Sequence, residues 1–210
     1  MKKLLFMLAV VLLPLLSRAS ELNPFERQCN DLAKLDVNSP VFQYFNPGGF
    51  WKDKRMATIY LAALKAGDNT KKASDELDTQ DRAALVLAAI VRHDLPLMNK
   101  YYNKKISLYF INTGWSVMTF AASCNFDRGV SFLLKSGIDP NAGPGTGPFN
   151  IALVYGNNAM AHKLLAHGYR ITANHKRCQS SKFIIEHSKA KLSHAIYGAV
   201  KAAKCPPPDS

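Results

Sequence analysis

Two segments in the middle of the chain repeat one pattern at a fixed distance of 31 residues. The first reads SVMTFAASCNFDRGVSFLLKSGIDPN from Ser116 to Asn141, and the second reads GPFNIALVYGNNAMAHKLLAHGYRIT from Gly147 to Thr172. Each predicts a short apolar helix, a turn at Asn125 or Gly156, and a second helix that ends in Leu-Leu before a glycine. Neither helix pair can bury its apolar faces alone, so the repeat predicts a stack of successive pairs.

The same frame extends upstream with less regularity. ALVLAAIVRHDLPLMNKYY, from Ala84 to Tyr102, places His93 at the turn, 32 residues before Asn125. ATIYLAALKAGDNTKKA, from Ala57 to Ala73, supplies the turn Gly67-Asp68, but its second helix is polar. A polar outer face is typical of the first unit in a stack, so this segment is interpreted as a degenerate unit or an N-terminal cap.

The repeated residues resemble the ankyrin repeat, whose pattern is Thr-Pro-Leu-His, paired Ala, a glycine turn, Val-x-x-Leu-Leu, and Gly-Ala-Asp-x-Asn before a β-hairpin finger. The matching residues are Ala121-Ala122, Val130, Leu133-Leu134 and Gly137-Ile138-Asp139-Pro140-Asn141, then Pro148-Phe149-Asn150-Ile151-Ala152, Gly156, Leu164-Leu165 and Gly168. The chain departs from the pattern at the opening Thr and His, which are replaced by Ser116 and Thr119, then by Gly147 and Asn150. The resemblance implies an all-α ankyrin-repeat solenoid of helix-turn-helix units, with short hairpin fingers and helical caps.

On this interpretation the chain has four parts. Residues 1–20 form a signal peptide, 21–56 an N-terminal helical cap and linker, 57–172 the ankyrin-like repeats, and 173–210 a C-terminal helical cap and tail. In the N-terminal cap, Asn23 to Leu35 predicts a short helix. The C-terminal cap is expected to hold helices over Ser180 to Ser188 and over Lys189 to Lys204, before a proline-rich tail that cannot continue a helix.

The first 20 residues have the three parts of a secretory signal peptide. Two lysines precede an apolar run from Leu4 to Leu16, and the small residues that follow allow cleavage after Ala19 or Ser20. An uncleaved membrane anchor is less favoured, because the run is shorter than the roughly 20 residues that a bilayer requires and Pro14 interrupts it. The start is typical of a bacterial precursor, so we expect the chain in the periplasm with no integral membrane segment after cleavage.

The chain is basic, with 27 Lys and Arg against 15 Asp and Glu and a formal net charge of +12. The leader contains three basic residues and no acid, so the exported protein would carry about +9. Such a charge often indicates nucleic-acid binding, but export argues against that partner. An acidic protein or an anionic envelope surface is favoured instead.

Four cysteines remain after removal of the leader, at positions 29, 124, 178 and 205. An even number in an oxidising compartment predicts disulfides, and none of the four is spaced as Cys-x-x-Cys. Three pairings are possible. Cys178 and Cys205 flank the two expected C-terminal helices, which favours that pair, and the partners of Cys29 and Cys124 stay open.

The sequence contains no arrangement that predicts catalysis. It lacks GxSxG, HExxH and a P-loop, and Gly143-Pro-Gly-Thr-Gly is interpreted as the tip of a finger. His162 and His167 are five residues apart, which does not place both on one helix face for a metal. We therefore expect a protein that is not an enzyme and that holds no metal or cofactor.

The ankyrin resemblance implies a protein-binding scaffold whose contacts come from the fingers and the first helices. On that mapping the contact residues are Asn112, Thr113, Trp115, Asp139, Asn141, Thr146, Tyr155, Asn157, Arg170 and Asn174. Trp115 and Tyr155 are the expected anchors, because aromatic side chains are enriched at interface hot spots. Packing of either ring against a neighbouring unit is the alternative interpretation.

Compartment, size, charge and the lack of catalytic motifs favour one function among three. The leading hypothesis is an immunity protein that binds and neutralises a toxic envelope-acting effector, such as a phospholipase or a cell-wall hydrolase. A second is an accessory factor for a periplasmic enzyme such as a catalase. A third is a basic envelope component that binds anionic lipid or polysaccharide.

Export gives the first testable prediction. The protein recovered from the periplasmic fraction of a bacterial host should begin at Ser20 or Glu21, because the signal peptidase cuts after small residues. Intact-mass spectrometry measures the N-terminus directly. A chain that keeps Met1 and sediments with membranes would support the anchor instead.

Overall fold

The computed structural model describes residues 29, 33, 54–68, 76–106, 116–143, 146–188 and 190–208, without the side chains of residues 54–57. Across these residues the chain is helical and has no strand. This confirms the all-α class. The helices described over their whole length are α1 (Lys54–Ala66), α2 (Thr79–Arg92), α3 (Leu95–Tyr101), α4 (Val117–Ser123), α5 (Asp127–Lys135), α6 (Pro148–Tyr155), α7 (Asn158–Ala166), α8 (His175–His187) and α9 (His194–Ala202), and a 3-10 turn lies at Ile171–Ala173.

Most of these helices begin at a polar side chain that accepts a hydrogen bond from the backbone N–H three residues on. The capping residues are Asp78, Asp94, Ser116, Asn157, Asn174 and Ser193, for α2, α3, α4, α7, α8 and α9 respectively. Pro148 instead occupies the first position of α6, where a missing N–H does no harm. Local sequence therefore sets where the helices start.

The turn inside each of three helix pairs contains one residue in the left-handed backbone conformation. His93 has φ 56°, Asn125 has φ 52° and Gly156 has φ 65°. In each case the next residue donates its N–H to a carbonyl five residues back, over 2.8 to 2.9 Å, which closes the preceding helix. The turn positions predicted from the 31- and 32-residue spacing are thus confirmed.

The second helix of each repeat also ends as predicted. Gly137 has φ 77° and Gly168 has φ 88°, and the residues after them donate back to Leu133 and Leu164. Side chains other than glycine are strained at these angles. The glycine after each Leu-Leu is therefore required by the backbone.

The helices pack as pairs, and the pairs stack in two rows. One row runs α2, α4, α6, α8 and the other runs α3, α5, α7, α9, with contact between each helix and the next in its row and between the two members of each pair. Helix α1 covers the free side of α2. Because both sides of α2 are covered, residues 83–90 are all 0–2% exposed.

The C-terminal pair differs in its boundaries from the expectation. Helix α8 starts at His175 instead of Ser180, because the Asn174 side chain caps it there. Helix α9 starts at His194 instead of Lys189, because Ser193 accepts a hydrogen bond from Ile196. The loop after α5 also differs. Its described residues form turns, without the strands of a hairpin finger.

Two disulfides link the described cysteines. Cys178 joins Cys205 across the C-terminal pair with Cα atoms 5.5 Å apart, which is the pairing favoured by the sequence. Cys29 joins Cys124 with Cα atoms 5.1 Å apart and fastens the N-terminal segment to the turn after α4. Cys124 is only 5% exposed, so this second disulfide lies partly inside the fold.

Several expectations lie outside the described residues. These are the signal peptide, the aromatic linker of residues 38–51, the polar second helix after Gly67, and the predicted contact residues Asn112, Thr113 and Trp115. Of the helix expected over Asn23 to Leu35, only Cys29 and Ala33 are described, and both are helical. None of the helices in the described ranges combines the length and the apolar character that a bilayer crossing requires.

Two glycines in open surroundings test the turn geometry. Gly168→Ala should lower the free energy of unfolding by about 1–2 kcal/mol, because alanine is strained in the left-handed region. Gly198→Ala, inside α9, should raise it by about 0.5–1 kcal/mol, because glycine weakens a helix interior. An added Cβ meets nothing within 4 Å at either position, so only backbone conformation differs. Urea unfolding measures both free energies, provided that the dependence on urea concentration is the same for all variants. Equal changes in the two variants would contradict the left-handed turn at Gly168.

Candidate functional site

The ends of the stacked helices form two edges of the molecule. The loop edge consists of residues 136–143, 146 and 147, between α5 and α6, and residues 167–174, between α7 and α8. The turn edge consists of the turns at His93, Asn125 and Gly156. Helix α6 runs from one edge to the other, and its eight residues separate them by about 12 Å.

Asn141 fastens the two loops of the loop edge together. Its Nδ2 donates to the carbonyl of Gly168 over 2.9 Å, and its Oδ1 accepts from the backbone N–H of Arg170 over 2.9 Å. Asp139 holds the amide in place, because its carboxylate accepts both the N–H and the Nδ2 of Asn141. Both ends of the amide are thus occupied within the fold.

Arg177 holds the same loop from inside. Its side chain is only 8% exposed, and Nη1 donates to the carbonyl of Asn141 over 2.8 Å while Nη2 donates to the carbonyl of Gly143. A guanidinium group suits this task because its donors are fixed in one plane. The described part of this loop is thus fastened to α8 by a side chain.

The layer beneath the loop edge contains further buried polar groups. Asn150 is fully buried, donates to the carbonyl of Arg177 over 3.0 Å and accepts from the hydroxyl of Ser181. It occupies a position where the ankyrin pattern has histidine, and it still links one helix pair to the next. Ser116 and Thr119, at the other replaced positions, bond each other over 2.7 Å.

Tyr169 lies beside these groups and packs its ring on Phe149, with centroids 4.8 Å apart. Burial raises the pKa of its hydroxyl to about 12, and the positive charge of Arg177 opposes that rise. The hydroxyl has no hydrogen-bond partner in the described part of the chain. Tyr169 thus stays neutral at physiological pH and serves as a packing element.

The turn edge is joined by a second ladder of hydrogen bonds. His93 donates from Nε2 to the carbonyl of Cys124 over 2.6 Å and stacks on Phe126 at 4.9 Å. One repeat further on, Asn157 donates to Oδ1 of Asn125 over 2.8 Å, and the Tyr155 hydroxyl donates to the carbonyl of Ser123. Each bond spans about one repeat, so the ladder fixes successive turns to each other.

The seven predicted contact residues that the structure describes are therefore not one patch. The loop edge brings together Asp139, Asn141, Thr146, Arg170 and Asn174. Tyr155 and Asn157 lie at the turn edge, where both bond to the neighbouring unit. Arg177 was missed by the sequence reasoning, because its partners are 34 and 36 residues away and no local pattern marks them.

The exposed side chains of the loop edge are polar and of mixed charge. Asp139 and Arg170, of opposite charge, are exposed there. Asn174 caps α8 through its side chain and is itself exposed. This composition suits contact with a polar macromolecular surface.

Two open clefts lie elsewhere along the stack. One, of about 560 Å³, is lined by Arg82, Lys104 and Lys105 with Leu77, Asp78, Thr79 and Asn103. The other, of about 310 Å³, is lined at the turn edge by Val91, His93, Ser123 and Tyr155 with Cys29, Ala33, Cys124 and Asn125. Among the described residues no group of three or more His, Cys, Asp or Glu side chains is arranged to hold a metal.

Comparison with protein-family models, with curated proteins and with solved structures returned no match.

The role of Arg177 can be tested against its neighbour. Arg177→Lys should lower the free energy of unfolding by about 1–3 kcal/mol, because one ammonium group cannot satisfy both carbonyls. Amide hydrogen exchange at Ala142 and Gly143 should accelerate with it. Lys176→Gln, at an exposed site, should change stability by no more than about 0.5 kcal/mol. If Arg177→Lys left the free energy of unfolding unchanged, the loop would be held by other contacts.

Proposed function

We propose that this chain is an exported protein-binding scaffold of the ankyrin type, and that it contacts its partner through the loop edge. Support for the ankyrin likeness comes from the 31-residue repeat and from the matching left-handed turns at Asn125 and Gly156. The two-row stacking of the helix pairs agrees with it. Scaffolds of this kind act by surface recognition alone.

The observation that carries the proposal is the fixed geometry of the loop edge. The polar groups of Asn141 and Arg177 form hydrogen bonds that hold two loops in one arrangement. A loop that is ordered before binding loses less conformational entropy when the partner arrives, which strengthens binding. Exposed Asp139 and Arg170 then remain available for the partner.

The partner is proposed to be a periplasmic enzyme or toxin. The leader sequence favours export, and the two disulfides fit an oxidising compartment. The basic charge favours a partner with an acidic surface, because complementary charge accelerates encounter and excludes wrong partners. Neutralisation of a phospholipase or cell-wall hydrolase is the function that these features support best.

A stringent capture experiment tests this proposal. The affinity-tagged exported protein, incubated in high salt with envelope extract of its own host, should retain one enzyme in stoichiometric amount, because a packed interface survives screening. The purified pair is then assayed on the enzyme's substrate. Lost activity supports immunity, retained or raised activity supports the accessory role, and no retained protein contradicts both.

A charge-reversal pair locates the interface. Arg170→Glu should weaken binding of the captured enzyme by at least about tenfold, because it places a like charge against an acidic surface. Lys65→Glu makes the same change at an exposed position on α1 and should leave binding within about twofold. Isothermal titration calorimetry compares the two. Equal losses would remove the loop edge from the proposal.

A further inference from the structure

The terminal helix pair, α8 and α9, exposes the largest apolar side chains outside the core. Phe183 on α8 is 62% exposed and Tyr197 on α9 is 39% exposed, and no other large hydrophobic residue of the described ranges is exposed. Phe183 stacks on His187 at 4.2 Å, so its ring is held on the surface. Both aromatics thus belong to the last unit of the stack.

Phe183 points away from the rest of the stack. The buried residues of α8 are Arg177, Cys178 and Ser181, and Ser181 bonds to Asn150 of α6. At 100° per residue, Phe183 lies on the opposite side of the helix from these three. The last unit of a stack needs a polar outer face for solubility, and a phenylalanine in the middle of that face departs from the rule.

The helix pair that carries the two aromatics is strongly basic. Residues 175–208 include seven Lys and Arg and a single acid, Glu186. Apart from the buried Arg177, the described members are at least partly exposed; they are Lys176, Lys182, Lys191, Lys201 and Lys204. The ammonium group of Lys201 lies 5.9 Å from the centre of the Tyr197 ring. We call these lysines with Phe183 and Tyr197 the cap surface.

We propose that the cap surface docks the protein on an anionic lipid bilayer. Lysines near such a surface are attracted by the negative headgroups, and aromatic rings insert at the boundary between headgroups and hydrocarbon. Protein interfaces are depleted of lysine and have an apolar core, whereas the described residues of this pair that are at least partly exposed include five lysines and only two large rings. Docked by α8 and α9, the stack would project from the membrane with its loop edge in water.

Vesicle co-sedimentation tests the proposal with the exported protein, its N-terminus verified by mass. The protein should bind vesicles of phosphatidylcholine mixed with phosphatidylglycerol at low salt, and at least about tenfold more weakly to phosphatidylcholine alone. Phe183→Ser should weaken binding to the anionic vesicles by about tenfold, because the ring's apolar surface no longer enters the bilayer. Phe183→Trp should retain it. Both changes are at an exposed site, and circular dichroism checks the fold.

Matched lysine variants separate the cap surface from the general positive charge. Lys201→Gln should weaken binding by about fivefold, whereas Lys135→Gln, an equal change on α5, should stay within about twofold. Equal effects of the two would mean that diffuse charge is responsible, and the proposal would fail. It would also fail if Phe183→Ser released a captured enzyme in high salt and left vesicle binding unchanged, because the cap surface would then be a protein interface.

Discussion

Every unit of this fold depends on burial against the next one. The five helices α3 to α7 are seven to nine residues long. Isolated helices of that length are not stable in water, because the first turn is costly to form and few hydrogen bonds follow. Stacking provides the missing stabilisation, since each row places an apolar face against the next helix. The left-handed turns at His93, Asn125 and Gly156 make this possible by reversing the chain at the same height in each unit.

The polar bonds between units set the register of that stack. Burial is not directional, so apolar faces alone would allow neighbouring pairs to slide. Asn150 under the loop edge bonds the following unit, and Asn157 at the turn edge bonds the preceding one. If one helix pair slid against its neighbour, the buried Asn150 would lose its hydrogen-bond partners, which would lower the free energy of unfolding by about 1–3 kcal/mol. The Asn150 side chain therefore links one helix pair to the next, whereas Ser116 and Thr119 bond each other within one pair.

Features repeated along the chain could be predicted from the sequence, whereas features made by distant contacts could not. The turns and the glycine stops recur at fixed spacing, so alignment of the segments was enough to find them. The start of α8 was misplaced because several polar residues precede it, and only the geometry identifies Asn174 as the cap. The clamp by Arg177 joins residues more than thirty apart, and no local pattern marks it. For Tyr155 the sequence leaves two interpretations open, because the same pattern fits an exposed anchor and a ring that packs against a neighbouring unit. In the structure its hydroxyl bonds to the carbonyl of Ser123 in the preceding unit.

The end of the stack is where this architecture is weakest, and the disulfide between Cys178 and Cys205 lies there. Among the described helices, the pair α8 and α9 has neighbours on one side only, and just three residues of α8 are buried. A cross-link over 27 residues offsets that deficit by about 3–4 kcal/mol through the entropy of the unfolded chain. With the cross-link in place, the outer face of the pair no longer has to be buried for stability. It can therefore carry an exposed phenylalanine and a high density of lysine.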